Sequence, residues 1–126
     1  MTWSPSPTSL LALQWLIGGV WIFHGLYSKL LNGIPRHRQI IERVLGARMA
    51  HVATIVIGLG EIALGAWTIS AWQPLWCAAT LTAVLVAMNI LEVARASDLL
   101  ISAVGMLILN AAFIALTWYW ALAAYR

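Results

Sequence analysis

The chain has 126 residues, 63% of them hydrophobic and 9% charged, with a mean hydropathy of +0.89; a water-soluble domain devotes about a quarter of its residues to charge, so that class is excluded. At about 20 apolar residues per bilayer crossing, four long apolar runs consume most of the chain, and residues 1–126 read as a single transmembrane domain with no space for a soluble catalytic or nucleotide-binding unit. The net charge of +3 does not point to nucleic acid, because five of the seven Lys/Arg fall between Lys29 and Arg48, in one juxtamembrane loop.

The first span is predicted over about Ser9–Leu31, after an extended Pro5–Pro7 stretch, with Thr8 or Ser9 capping its first turn. No basic residue precedes it and its apolar run outlasts a signal-peptide core of about 7–15 residues, so it is expected to be a retained helix. Asn32-Gly33 with Pro35 ends it. From Arg36 to Gly46, Ile40, Ile41, Val44 and Leu45 share one side while Arg36, Arg38, Glu42 and Arg43 lie largely elsewhere, the pattern of a short amphipathic helix at the membrane surface.

The remaining spans are predicted over about Met49–Ser70, Gln73–Val93 and Leu99–Ala123. The fold class is therefore all-α, an integral membrane four-helix bundle with a short amphipathic surface helix between helices 1 and 2. The single Cys77 forms neither an internal disulfide nor a CxxC pair. Arg95 shares a side with the basic loop and only Arg126 lies opposite, so the positive-inside rule predicts a multi-pass inner-membrane protein with both termini outside. Trp3, Trp67, Trp72, Trp76, Trp118 and Trp120 map to the end opposite the arginines and suit an interfacial aromatic belt. Trp15 and Trp21 sit inside the first span and are expected to line a helix contact or a cavity.

Polar side chains within lipid normally face the bundle interior, and here they form four seams. Gln14, Gly18, Trp21, Gly25, Ser28 and Asn32 make one stripe of the first helix; His51, Thr54, Gly58, Glu61, Gly65 and Thr68 make one of the second. The third carries Ala78, Thr82, Leu85, Asn89 and Glu92, and the fourth Ala103, Met106, Asn110, Phe113 and Thr117. Small residues on such stripes allow close helix approach. Counted from the inner end of each helix at ~1.5 Å per residue, His24 lies ~10 Å deep, Asn110 ~14 Å, Glu61 ~19 Å and Asn89 ~7 Å. A polar cluster in the inner half of the membrane follows, roofed by Lys29, Glu92 and the surface helix.

Ordinary structural roles account for several of these residues. Asn89 and Asn110 suit interhelical hydrogen bonding worth ~0.6 kcal/mol, Lys29 is placed to snorkel or touch phospholipid, and His37 and His51 fall near the inner surface with no expected chemistry. Glu61 is the exception, since a mid-membrane carboxylate marks a functional site by default. By helical rise Lys29 lies ~20 Å from it, so Glu61 is expected to lack a cation and to keep its proton. His24 lies one position off the Gly18–Gly25 stripe, where it either faces the cavity edge or bonds a carbonyl of the next helix. No metal site is expected: His24 and His51 differ in depth by ~6 Å, and no second ligand stands at i+3 or i+4. Gly58-Leu59-Gly60 lacks the preceding strand of a dinucleotide site.

The stretches WIFHGLYSKLLNGIPRHRQII, GLGEIALGAW and MNILEVARASDLLISAVGMLILN resemble the DoxX-like family of small four-helix membrane proteins, through Trp21, Gly25, Lys29, Pro35, Gly58, Glu61, Gly65, Asn89 and Asn110. The resemblance implies a bacterial inner-membrane bundle whose activity is mostly unassigned, in a family named after a subunit of quinone-linked thiosulfate oxidation. It brings no cofactor signature with it.

Three functions are compatible with these residues. The first is a pocket for a hydrophobic small molecule, such as a quinone, isoprenoid or lipid, with Trp21, Gly25, Asn89, Asn110 and Lys29 binding. If chemistry occurs there, Glu61 and His24 are the acid and base of an isomerisation or proton-coupled redox step. The second is a non-enzymatic accessory subunit docking a soluble oxidoreductase. The third is a proton-coupled transporter, expected as a homodimer, although no inverted repeat or broken helix supports it.

Overall fold

The structure is a computed structural model that describes residues 5–125. Four helices are long and apolar enough to cross a membrane, spanning Pro7–Leu30, Ala47–Ser70, Pro74–Leu99 and Ala103–Tyr125, and no strand occurs among the described residues. The all-α membrane bundle follows. Helix α1 (Pro7–Phe23) continues as a π segment (His24–Leu30); α2 (Pro35–Leu45) is the short amphipathic helix, followed by α3 (Ala47–Ser70), α4 (Pro74–Ala96) with a 3-10 turn (Ser97–Leu99), and α5 (Ala103–Tyr125).

Proline sets three of these starts. Pro7, Pro35 and Pro74 each open a helix, where the missing N–H costs no intrahelical bond and φ is already helical. Helix α1 thus begins earlier than the sequence suggests: Pro7 is its first residue, and Ser6 is the cap, accepting from the Ser9 amide at 3.1 Å. Gly46, at φ +90°, joins α2 to α3 in a conformation that L side chains rarely adopt. Ala71 and Gln73 adopt left-handed φ values of 57° and 49° to make the tight α3–α4 turn.

The main packing is pairwise, α1 with its π segment along α3, and α4 along α5; α2 lies against α3 and α4. Glycine allows the first pairing. A methyl at Gly18 would sit 2.8 Å from the Gly65 carbonyl oxygen, and one at Gly25 would overlap that of Gly58. The two backbones touch twice, seven residues apart on each helix, which fixes an antiparallel register.

The pairs join at the tryptophan-rich end through Ile17, Trp21, Cys77, Ala78, Leu81, Trp120 and Ala121. Gln14 links three helices there, donating to the Ile69 carbonyl at 2.7 Å and accepting from Trp120 Nε1 at 3.2 Å. Trp118 Nε1 donates to Thr82 Oγ1 at 2.9 Å, between α5 and α4.

Two tryptophans depart from their expected places. Trp120 is fully buried rather than part of a belt, because Gln14 satisfies its indole N–H; Trp15 is 57% exposed and lines only a shallow groove on the face of α1, beside Leu16, Gly19 and Phe23. Trp72 and Trp76 are exposed at that end, while Trp3 lies outside the described residues.

Candidate functional site

At the arginine-bearing end the helix pairs part and enclose a cavity of about 720 Å³, within the range of small-molecule sites. Its walls are mostly apolar, with Val20 and Trp21 from α1, Leu85 and Met88 from α4, and Met106 and Phe113 from α5. Helix α2 closes the end. Its Ile40 and Ile41 are buried, and Arg43 Nη1 meets Asp98 Oδ1 at 2.6 Å to fasten α2 beside the end of α4. Leu45, Leu91, Ile101 and Leu109 line the cavity yet remain exposed, so its rim is apolar.

Of the residues singled out from sequence, Trp21, His24, Lys29, Glu61, Asn89 and Asn110 all line this cavity. Gly25 does not; it is buried in the α1–α3 seam against Gly58. Asn110 Nδ2 donates to Asn89 Oδ1 at 2.9 Å, joining α4 to α5. Their different depths as counted from sequence do not hold, because each helix end was taken as a common zero.

The same assumption misplaces Lys29. Its Nζ lies 2.7 Å from Glu61 Oε1, with side chains only 6% and 4% exposed. Gly25–Gly58 contact explains the meeting. Lys29 Cβ packs against Gly58, and Glu61 stands three residues beyond Gly58. In addition, Cα–Cβ bonds tilt toward a helix N-terminus, so in antiparallel helices the two side chains lean toward each other. The first turns of α3 extend past the π segment and pack on α2, which is the depth that counting from Met49 overlooked. Glu61 therefore has a cation beside it, and the expectation that it lacks one is corrected.

The π segment carries this arrangement. The Leu31 amide bonds to the Leu26 carbonyl at 2.9 Å, five residues back, and π turns are frequent at functional sites. The wider winding buries Gly25, Ser28 and Lys29 and turns His24 to the cavity. There His24 stacks on His37 of α2, ring centroids 5.5 Å apart and planes at 18°. His24 shares no hydrogen bond with Glu61, so the expected acid and base are not directly coupled.

Its position in the sequence alone puts His37 near the inner surface, outside the site. The signal was present, however, since His37, Ile40, Ile41 and Val44 follow helical spacing on one face of α2. Burial, and then the positive charge of Lys29, with smaller effects from His24 and Arg36, push its pKa down to about 4. Its imidazole is neutral at pH 7. His37 Nδ1 and Trp21 Nε1 are buried without a hydrogen-bond partner, each at a cost of about 1–3 kcal/mol. Glu92 and Arg36 also line the cavity, while His51 is exposed. No group of three or more His, Cys, Asp or Glu converges to hold a metal among the described residues.

A family model described as the DoxX-like family matches residues 18–118. The chain belongs to that family, and the match spans the cavity-lining segments of α1, α2, α3, α4 and α5. Comparison with curated proteins and with solved structures returned no match.

Proposed function

We propose that this DoxX-like membrane protein binds a hydrophobic small molecule, a quinone, isoprenoid or lipid, inside the bundle. The observation that carries the reading is the cavity itself: about 720 Å³, mostly apolar, with the buried Lys29–Glu61 pair and the stacked His24 and His37 gathered in it. An apolar container with a few converging polar groups suits an amphiphile, since tails lose nothing on leaving lipid and polar atoms gain partners. Helix α5 packs on α4 and α1 but makes no comparable contact with the π segment or α2 among the described residues. A lateral entrance on that side, past Leu109 and Ile101, would admit a ligand directly from the bilayer.

Trp21, Asn89, Asn110 and Lys29 are the proposed binding residues. Glu61 and His24 are the groups through which a proton would pass if the ligand is turned over. The arginine-bearing end is proposed to face the cytoplasm of a bacterial inner membrane, leaving both termini outside; fusion reporters attached after Arg126 test that orientation.

Mass spectrometry of apolar molecules retained through mild detergent purification tests the binding. A stoichiometric amphiphile is expected from the unaltered protein and none from Met106→Trp, which fills the cavity while leaving the tryptophan-rich core untouched. If nothing is retained and a soluble oxidoreductase co-purifies instead, the accessory-subunit reading replaces this one.

A further inference from the structure

The charges that line the cavity do not all cancel by contact. Lys29 and Glu61 pair directly. Arg36, at the start of α2, and Glu92, near the end of α4, face the same space, and neither forms an ion pair or hydrogen bond among the described residues. Glu92 is within electrostatic reach of Lys29, Glu61 and Arg36, so the two unpaired charges belong to one electrostatic environment.

A ligand with a single charge would answer one of them and leave the other facing a partly desolvated interior, which is costly for an unpaired ion. A head with one charge of each sign answers both. We propose that this end of the cavity takes the head of a zwitterionic glycerophospholipid, with its phosphate on Arg36 and its ammonium on Glu92. The assignment rests on the reading that the cavity receives an amphiphile.

Three features support the polarity and depth. Arg36 is the second residue of α2, where free backbone N–H groups and the helix dipole favour an anion. Glu92 is the nineteenth residue of the Pro74–Leu99 span, at the close of the ~20 that cross hydrocarbon, and so stands next to the lipid headgroups. The apolar rim of Leu91, Ile101 and Leu109 then lets acyl chains leave sideways, which matters because the cavity is smaller than a whole phospholipid. His24 and His37 line the same cavity, and His37 is neutral at pH 7, so its imidazole offers a hydrogen bond to the head without adding charge.

Native mass spectrometry of the detergent-solubilised chain, titrated with dioleoyl phosphatidylethanolamine, dioleoyl phosphatidylglycerol and dioleoylglycerol, tests the proposal. The zwitterionic lipid is expected to bind about tenfold more tightly than either other lipid. Glu92→Gln should remove its advantage over phosphatidylglycerol, whereas Arg36→Gln should weaken both phospholipids and leave dioleoylglycerol unchanged. Equal binding of all three to the unaltered protein overturns the headgroup assignment while leaving the amphiphile reading in place. Failure of all three to bind, together with no retained molecule sensitive to Met106→Trp, overturns the reading beneath it.

Discussion

The same helices build two unlike halves. Toward the tryptophan-rich end, Ile17, Leu81 and Trp120 are fully or almost fully buried, and Gln14 ties α1, α3 and α5 together. Toward the arginine-bearing end the pairs diverge, and an ion pair, an imidazole stack and one amide bridge replace continuous packing. Neither half is held by hydrophobic drive, because lipid is as apolar as the side chains it meets. Shape and hydrogen-bond complementarity therefore decide which half closes. Large indoles with an amide to receive them close one, and charges that must stay paired keep the other open.

Stability measurements can break that comparison. Trp120→Ala should lower unfolding free energy by about 3–5 kcal/mol, read as a loss of thermal midpoint in detergent, while Met88→Ala in the cavity wall should cost less than about 1 kcal/mol because it enlarges an existing space. Equal losses would mean that the cavity is collapsed in solution. Next in size, Lys29→Met or Glu61→Leu alone should cost about 3 kcal/mol by stranding the other charge, and the double substitution should return close to the parent. Additive losses would show that the pair is not formed.

Smaller effects sharpen the contrast. Asn110→Leu should cost only about 0.6 kcal/mol, the ordinary worth of an interhelical hydrogen bond in a membrane bundle. At His37 the folded pKa of about 4 lies below the ordinary imidazole value of 6.5, so the unfolded chain binds the extra proton first as pH falls. Stability is then full above about pH 6.5 and declines toward pH 4. His37→Phe should flatten this part of the pH profile, and an imidazole resonance of His37 titrating near pH 6.5 would contradict the buried stack.

Much of this division is legible along the chain. Within the two stripes, Gly18-Trp21-Gly25-Ser28 and Thr54-Gly58-Glu61-Gly65-Thr68 are buried as their spacing demands, while Gln14 is half-buried and Asn32 and His51 at the inner ends are exposed, since helical periodicity is a local property. Register between helices is not local. It depends on which glycine meets which, so Lys29 and Glu61 looked far apart although each lies one turn from the Gly25–Gly58 contact. The π segment was equally hidden, because its i→i+5 bonds depend on what packs around it, and with it went the inward turn of His24. Trp15 and Trp120 exchanged expected roles for a related reason: indole position along a helix says depth, whereas a partner such as Gln14 decides burial.

The Arg43–Asp98 contact has a kinetic consequence. It is one fastening between α2 and the turn that follows α4, and both side chains are largely exposed, so it is weak and falls further with ionic strength. Buried Ile40 and Ile41 still hold α2 against its neighbours, so releasing the fastening loosens only the edge of α2 that faces the end of α4. Exchange of a bound molecule through this end should therefore quicken as salt is raised, and its residence time should shorten without any change in the melting of the four long helices.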